Sequence, residues 1–339
     1  MVVTHSVLPR IPTVGIAIAA RNEVDAISPL LDSIASQTTD STITVAIADG
    51  SPDGQTSAAA AAWSLNNRNV KVLRLSNPEH TAPAGFNMAV RALATDVVII
   101  LGAHSKIAPD FVERNLIALR DTGADCTGGL LETRGRSAVG HAIAAAMSSP
   151  FGVGNARFRV GGGAGPVDTA AFGAYRSNVF EDLGGFDAGL VGAEDDEFNL
   201  RLIRSGGTIW FDPAIQSTYF CRDRLADLWK QYWGYGRGKS LVLLKHKRPP
   251  SARMFAPAAL VLAIAISAMT SIAQRRPHAL IVVTGGYLGT IGIAGLRIAR
   301  RSSVDPASTI GALATLHLSY GTGLIHGVAV GVRRHRPSH

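Results

Sequence analysis

The chain has 339 residues, enough for one large domain or two ordinary ones, and a composition of 47% hydrophobic and 17% charged residues suits a folded protein. Its net charge of +8 is unevenly held, since residues 1–221 carry 16 Lys and Arg against 22 Asp and Glu whereas residues 222–339 carry 17 against 3. Basic character thus belongs to the C-terminal third, which argues against nucleic-acid binding by the whole chain. Cys126 and Cys221 are the two cysteines, and without CxxC or HExxH they suggest neither a disulfide framework nor a zinc site.

In chain order, residues 13–20 read as a strand and lead straight into "RNE", too short a run for a cleavable signal. A helical pattern follows over 26–36, then a strand over 43–48 that stops at "DGSPDG". Next come an Ala-rich helix over 55–65, a strand over 70–75 and a helix over 83–93. The fourth strand, "VVIIL" at 97–101, suits the centre of a parallel sheet and ends in Gly102, Ala103 and His104. Such β-α alternation predicts an α/β fold with a doubly wound, mostly parallel, nucleotide-binding sheet. Ligands of these sheets bind at the carboxyl ends of the strands, so residues just past Leu101 should face a substrate.

Beyond residue 125 the pattern loosens. The Gly-rich stretch 152–176 contains neither GxGxxG after a strand nor GxxxxGK[ST], so it reads as a substrate-lining loop, and an NAD-binding oxidoreductase lacks its fingerprint. Two acidic stretches carry chemistry. "IADGSPDGQT" sets Asp49 at a strand end and Asp53 four residues on, where a carboxylate can accept from a base or ribose, or simply close an Asx turn. "GAEDDEFNLRLIRSGG" places Glu194, Asp195, Asp196 and Glu197 in the first turn of an amphipathic helix, where acids also suit the helix dipole.

The C-terminal third holds three uncharged runs, 255–273, 279–296 and 308–332, each long enough to cross about 30 Å of hydrocarbon. About three transmembrane helices are expected over 251–339, although the Gly-rich third run also suits a re-entrant or split segment. Basic residues flank them: Lys245, Lys247, Arg248 and Arg253, then Arg275 and Arg276, then Arg297, Arg300 and Arg301, then Arg333, Arg334 and Arg336. With three crossings, 7 flanking charges against 5 lean toward a cytoplasmic N-terminal domain at the cell membrane.

Together "AARNE", "ADGSPDG", "PAGFNMAVRA", "GAHSKIAPDF", "GAYRSNVFEDLGGFD" and "EDDEFNLRLIRSGG" resemble a family-2, GT-A fold glycosyltransferase, and most nearly the exopolysaccharide, succinoglycan-type glucosyltransferase group. The resemblance covers about residues 12–250. It implies a glycosyltransferase domain over 1–250, with a nucleotide-sugar-binding half at 12–125 and an acceptor half at 126–250. Ala19, Arg21, Glu23, Asp49, Asp53, Gly102 and Ala103 would line the nucleotide sugar. Asp195 would be the general base toward the acceptor hydroxyl, with Glu194 orienting the acceptor. In "QYWGYGRGK", Gln231, Trp233 and Arg237 would contact acceptor or pyrophosphate, while the lack of a strict QxxRW favours adding one sugar per encounter.

One position departs from the family. Its members usually end the fourth strand with Asp-x-Asp or Asp-x-His, whose first carboxylate helps hold Mg²⁺ or Mn²⁺, and here that position is Gly102. The resemblance therefore implies a divalent metal held mainly by His104 and phosphate. Charge compensation by Lys106, Arg237 or Lys239, or a weakened enzyme, are the alternatives. The expected function is inverting transfer of a hexose, UDP-linked, to a lipid-linked or membrane-surface acceptor. A polyprenyl-phosphate hexosyltransferase and a catalytically silent membrane scaffold stand beside it.

Overall fold

The computed structural model describes residues 7–67, 69–249 and 251–334. Arg336, and the side chains of Arg333 and Arg334, expected as the last basic flank, lie outside the described residues. The chain divides into two compact units, one formed by Met1–Glu132 with Gly161–Tyr219 and the other by Thr133–Val160 with Phe220–His339.

The first unit begins with the expected repeat: β1 (Val14–Ala20), α1 (Val24–Ala35), β2 (Ile43–Asp49), α2 (Gln55–Asn66), β3 (Lys71–Ser76), α3 (Ala82–Ala92) and β4 (Val97–Gly102). β1 lies between β2 and β4, with β3 outside β2, and all of these pairs are parallel. β1, β2 and β4 are buried along most of their length, as uninterrupted Val, Ile and Ala runs must be when helices cover both faces. A Cβ at Gly15 would run into Thr95 and Leu93, so glycine there lets the loop before β4 close over β1.

β5 (Ser105–Ile107), α4 (Phe111–Thr122) and β6 (Cys126–Arg134) follow. Between them and the end of this unit come α5 (Ala138–Met147), α6 (Pro150–Val153), α7 (Arg157–Val160), β7 (Gly165–Pro166), β8 (Ala174–Arg176), α8 (Asn178–Leu183), α9 (Glu194–Arg204) and β9 (Ile209–Phe220). The sheet runs β3-β2-β1-β4-β8-β6-β9-β5, with β7 paired to β9. β8 joins antiparallel to both β4 and β6, so the parallel sheet continues as an antiparallel one. The stretch expected as one Gly-rich loop, 152–176, therefore contains short helices and two strands. One face of the sheet buries Ile16, Ile18, Ile27, Leu30, Phe111 and Leu116, and the other Val98, Tyr175, Phe180 and Phe198. Each large side chain so buried contributes about 1.5–3 kcal/mol.

In the second unit, Ser137 caps α5 by accepting from Gly140 N–H at 3.0 Å. Asp223 accepts from the Arg136 and Ser137 N–H groups and the Ser137 hydroxyl, each at 2.9 Å. These bonds hold 133–160 to the chain just before α10 (Leu225–His246). α11 (Phe255–Ala273), α12 (His278–Ser302) and α13 (Pro306–Arg334) complete it. Among the described residues two helices are long and apolar enough to cross a membrane, Ala252–Ala273 and His278–Ser302. Their outer faces leave Leu262, Ile266, Ile281 and Val282 exposed. The third expected run is not one of them. It forms α13, one continuous helix rather than a split segment, with Leu313, Leu316 and Leu324 buried. Its close partner is α10: a Cβ at Gly236 would collide with Tyr320, one at Gly323 with Trp233, and one at Gly327 with Ser240. Small residues at such a seam let two helix backbones approach.

Candidate active site

The strand ends of the first unit bring most of the expected nucleotide residues together. Register pairs Ala20 with Asp49 across β1 and β2, and Ala19 with Gly102 across β1 and β4. Arg21, Asn22 and Glu23 leave the edge from β1, and Ala103 and His104 leave it from β4. Asn22 takes a left-handed φ of 59° in this turn, which Asn tolerates better than most residues.

Asp49 is 5% exposed and both its oxygens are engaged. Oδ1 accepts from Ser51 N–H at 2.8 Å and Oδ2 from Ser57 N–H at 2.7 Å, so the carboxylate closes the turn and holds the first turn of α2. Asp53 Oδ1 accepts from Gln55 N–H at 3.1 Å. Around them lies a frame that sequence patterns did not reveal. Ser51 Oγ accepts from Asn22 N–H at 2.8 Å, Thr56 Oγ1 accepts from Glu23 N–H at 3.0 Å, and the two hydroxyls are 3.0 Å apart. His80, at φ 54°, places Nδ1 2.7 Å from Gly50 O and accepts from Arg21 Nη1 at 3.3 Å through its carbonyl. Two hydroxyls and a histidine scattered between Ser51 and His80 carry no spacing that would mark them beforehand. A cleft of about 760 Å³ shares Asp49 with this cluster and runs along α2 and β3 past Ser57, Arg74 and Ser76.

His104 Nε2 lies 2.8 Å from Glu23 Oε1, which joins an expected metal ligand to an expected nucleotide contact. At Gly102 there is no ligating atom, and among the described residues no group of three His, Cys, Asp or Glu is arranged to hold a metal ion. The donors this edge offers are His104 and Glu23, with none at the first position of the usual motif.

The acidic helix α9 hangs from β8. Tyr175 of β8 donates through its hydroxyl to Asn199 Oδ1 at 2.9 Å, and Tyr175, Phe180, Phe186 and Phe198 pack ring against ring at 4.9–5.7 Å. Since β8 pairs with β4, α9 is built on the strand next to the Gly102 edge. Asp195 is exposed on the first turn, and its Oδ1 accepts from Asp196 N–H at 2.8 Å. Glu194 Oε2 accepts from Gly192 N–H at 2.6 Å. Burial pushes the Glu194 carboxyl up, against the opposing pull of nearby N–H groups, and Asp196 adds to the rise. Glu197 is fully buried and receives Arg201 Nε and Nη2, while Arg201 also donates to the Leu183 and Gly185 carbonyls at 2.6 and 2.5 Å. That arginine fixes α9 to the "LGGFD" loop.

Gln231, Trp233 and Arg237 lie on α10 in the second unit. Gln231 Nε2 donates to the Tyr235 hydroxyl at 3.0 Å, the Trp233 ring sits 5.1 Å from that of His326, and the Arg237 carbonyl accepts from Ser240 Oγ at 2.6 Å.

A parallel sheet of this kind binds its ligands at the carboxyl edge whatever their chemistry, and the comparison with known families says which kind of protein this is. The model of glycosyl transferase family 2 matches residues 15–184. The chain belongs to this family. It is 30% identical over 311 residues to the succinoglycan biosynthesis protein ExoA of Rhizobium meliloti (strain 1021), covering 91% of this chain and 92% of that protein. It is 25% identical over 186 residues to a dolichyl N-acetyl-alpha-D-glucosaminyl phosphate 3-beta-D-2,3-diacetamido-2,3-dideoxy-beta-D-glucuronosyltransferase of Methanococcus voltae, covering 53% of this chain and 57% of that enzyme. Among solved structures, the fold is similar to the mannosyltransferase PcManGT of Pyrobaculum calidifontis in complex with GDP-Man and Mn²⁺, at TM-score 0.56 and 18% identity over 95% of this chain and 87% of that one. It is also similar to S. aureus TarS 1–349 in complex with UDP, at TM-score 0.51 and 13% identity over 96% and 93%. The family 2 glycosyltransferase thus has the GT-A-like fold expected of its sequence.

Proposed function

We propose that this family 2 glycosyltransferase moves a hexose from a nucleotide sugar, UDP-linked, to a lipid-linked glycan acceptor at the membrane surface, with inversion at the anomeric carbon. The observation that carries the reading is the meeting of Ala19, Asp49 and Gly102 at one sheet edge, with α9 built on the adjoining strand β8. In the proposed step Asp195 takes the proton of the acceptor hydroxyl as its oxygen bonds to the anomeric carbon. The bond from that carbon to the β-phosphate oxygen breaks, and the nucleoside diphosphate leaves with the electron pair. A positioned base typically contributes 10² to 10⁴ in rate. Glu194 orients the acceptor, Arg21, Glu23 and the Asp49 turn shape the nucleotide edge with Asp53 in support, and Gln231, Trp233 and Arg237 serve the acceptor side.

The division we propose is a catalytic domain over 1–250, facing the cytoplasm, and a membrane region over 251–339. Its support is the pair of apolar helices and the basic flanks. A lipid-linked sugar acceptor is favoured over polyprenyl phosphate itself by the relative whose name specifies a dolichyl-linked sugar phosphate. The test is a screen of UDP- and GDP-hexoses with membranes containing the protein, reading released nucleoside diphosphate together with the lipid product. Asp195→Asn should lower turnover about 10² to 10⁴-fold with nucleotide affinity unchanged. Full turnover in Asp195→Asn removes the base, and product formed on polyprenyl phosphate alone moves the acceptor.

A further inference from the structure

The end of β4 is where this chain departs from its family, and the departure has a partner elsewhere in the sequence. A Cβ at Gly102 would stand 3.4 Å from Cε1 of Phe172 and 3.9 Å from its Cζ. The ring therefore lies against the side of the strand end on which a first-position carboxylate would emerge, at van der Waals distance from its Cβ. Phe172 holds a left-handed φ of 51°, unfavourable for an aromatic residue, and it packs against the core formed by β1, β4 and α4. Its neighbours leave the loop little freedom. Ile100 N–H donates to Gly173 O at 3.0 Å, a Cβ at Gly128 would meet Ala170, and one at Gly173 would meet Tyr175 and Cys126. Below it, Ser105 Oγ donates to Gly102 O at 2.5 Å and fixes the turn that carries His104.

One nitrogen of the remaining donor is engaged as well. His104 Nε2 faces Glu23 at 2.8 Å, and the Glu23 backbone is set by its N–H bond to Thr56 and by its carbonyl, which accepts from Ala26 and Ile27 at the start of α1. Mg²⁺ and Mn²⁺ seek oxygen donors, with one or two carboxylates besides phosphate as a common arrangement. Here one such position is a glycine covered by an aromatic ring, and the other is a histidine paired to a carboxylate.

We infer that this chain has exchanged the divalent-metal site at the end of β4 for an apolar contact between Gly102 and Phe172, and binds its donor diphosphate without a metal ion. The inference rests on the nucleotide-binding reading above. Phe172 becomes a positioning residue that sets the floor under the diphosphate, and the charge of that group is left to side-chain cations.

The test is binding of UDP and of GDP to the purified full-length protein in detergent, by calorimetry, in EDTA and in Mn²⁺. Binding of either nucleotide in EDTA, tightened less than threefold by Mn²⁺, is the expected result. A tightening of threefold or more overturns the inference while leaving the nucleotide site standing. Binding of neither nucleotide in either medium removes the nucleotide reading itself and the inference with it. The cause is tested by the double variant Gly102→Asp with Phe172→Ala, which should tighten its nucleotide more than tenfold in Mn²⁺. If a double variant with an unchanged melting temperature stays indifferent to Mn²⁺, the assignment to these two positions is overturned.

Discussion

His104 presents Nε2 to Glu23 Oε1 at 2.8 Å and so links the turn after β4 to the start of α1, across the edge where β1 and β4 end. The pair is partly exposed, at 37% for the His104 side chain and 15% for that of Glu23, and ion pairs with such access to water contribute about 0–1 kcal/mol to stability. Its consequence should therefore be felt in binding and hardly in melting. Glu23→Gln and His104→Ala are each expected to leave the melting temperature nearly unchanged while weakening UDP or GDP binding. Residues acting as one unit show coupling of about 0.5–3 kcal/mol, so the double variant should bind no more weakly than the worse single one. Strictly additive losses by calorimetry would show that the two side chains act apart.

Glu197 and Arg201 should behave in the opposite way. The Glu197 side chain is wholly buried and that of Arg201 is 22% exposed, and the guanidinium also serves the Leu183 and Gly185 carbonyls. Removing one member of such a pair leaves a buried charge without compensation, which costs about 3–5 kcal/mol. Arg201→Ala is thus expected to lower the melting temperature sharply. It should also depress turnover, because α9 carries Asp195 two residues before Glu197. Glu197→Gln, which keeps the shape and a hydrogen-bond acceptor, should cost less than Arg201→Ala in the same melt. Equal losses would mean that the carbonyl contacts matter little.

The β1–β4 repeat is legible in sequence because each strand is a continuous apolar run and each helix a short periodic one, so local signals coincide with the fold. Asp49 at the end of β2 and Asp195 on the first turn of α9 are legible for the same reason, since both sit where an element begins or ends. β8 has three residues, Ala174–Arg176, and exists only through its pairing with β4 and β6, which no local pattern encodes. Phe172 against Gly102 is likewise a contact between positions 70 apart, and a missing side chain in sequence does not say what fills its place. Composition also cannot assign residues 133–160 to the second unit, because the bonds that do so join distant positions: Asp223 to Arg136 and Ser137, Arg253 to Asn155, and His317 to the Phe151 carbonyl. In the third apolar run uncharged length is visible in sequence, whereas its glycine seam with α10 is not.

Glu194 supplies a pH dependence. Burial raises its carboxyl above the ordinary value of about 4.3, so the folded protein holds this proton to a higher pH than the unfolded chain. Below the ordinary value the side chain is neutral in both states and carries no penalty. As pH rises through the raised folded value the folded state loses stability relative to a neutral side chain. Glu194→Gln keeps an acceptor for Gly192 N–H and never ionises. Its melting temperature relative to the unaltered protein should therefore rise as the pH climbs above about 4. A difference that stays flat or falls over that range would place the ionised carboxylate in a favourable setting after all.

The α10–α13 seam makes a sharper steric prediction. At Gly323 a Cβ would strike the Trp233 backbone, and at Gly236 it would strike that of Tyr320, so no rotamer change relieves the clash. On α12, by contrast, a Cβ at Gly286 would meet nothing within 4 Å. Overpacking a closed contact costs about 1–3 kcal/mol, while Gly→Ala in an open helix position gains about 1 kcal/mol of helix propensity. Gly323→Ala should accordingly lower the melting temperature of the detergent-solubilised protein, and Gly286→Ala should raise it or leave it alone. Equal shifts at the two sites would mean that α10 and α13 do not meet through their glycines.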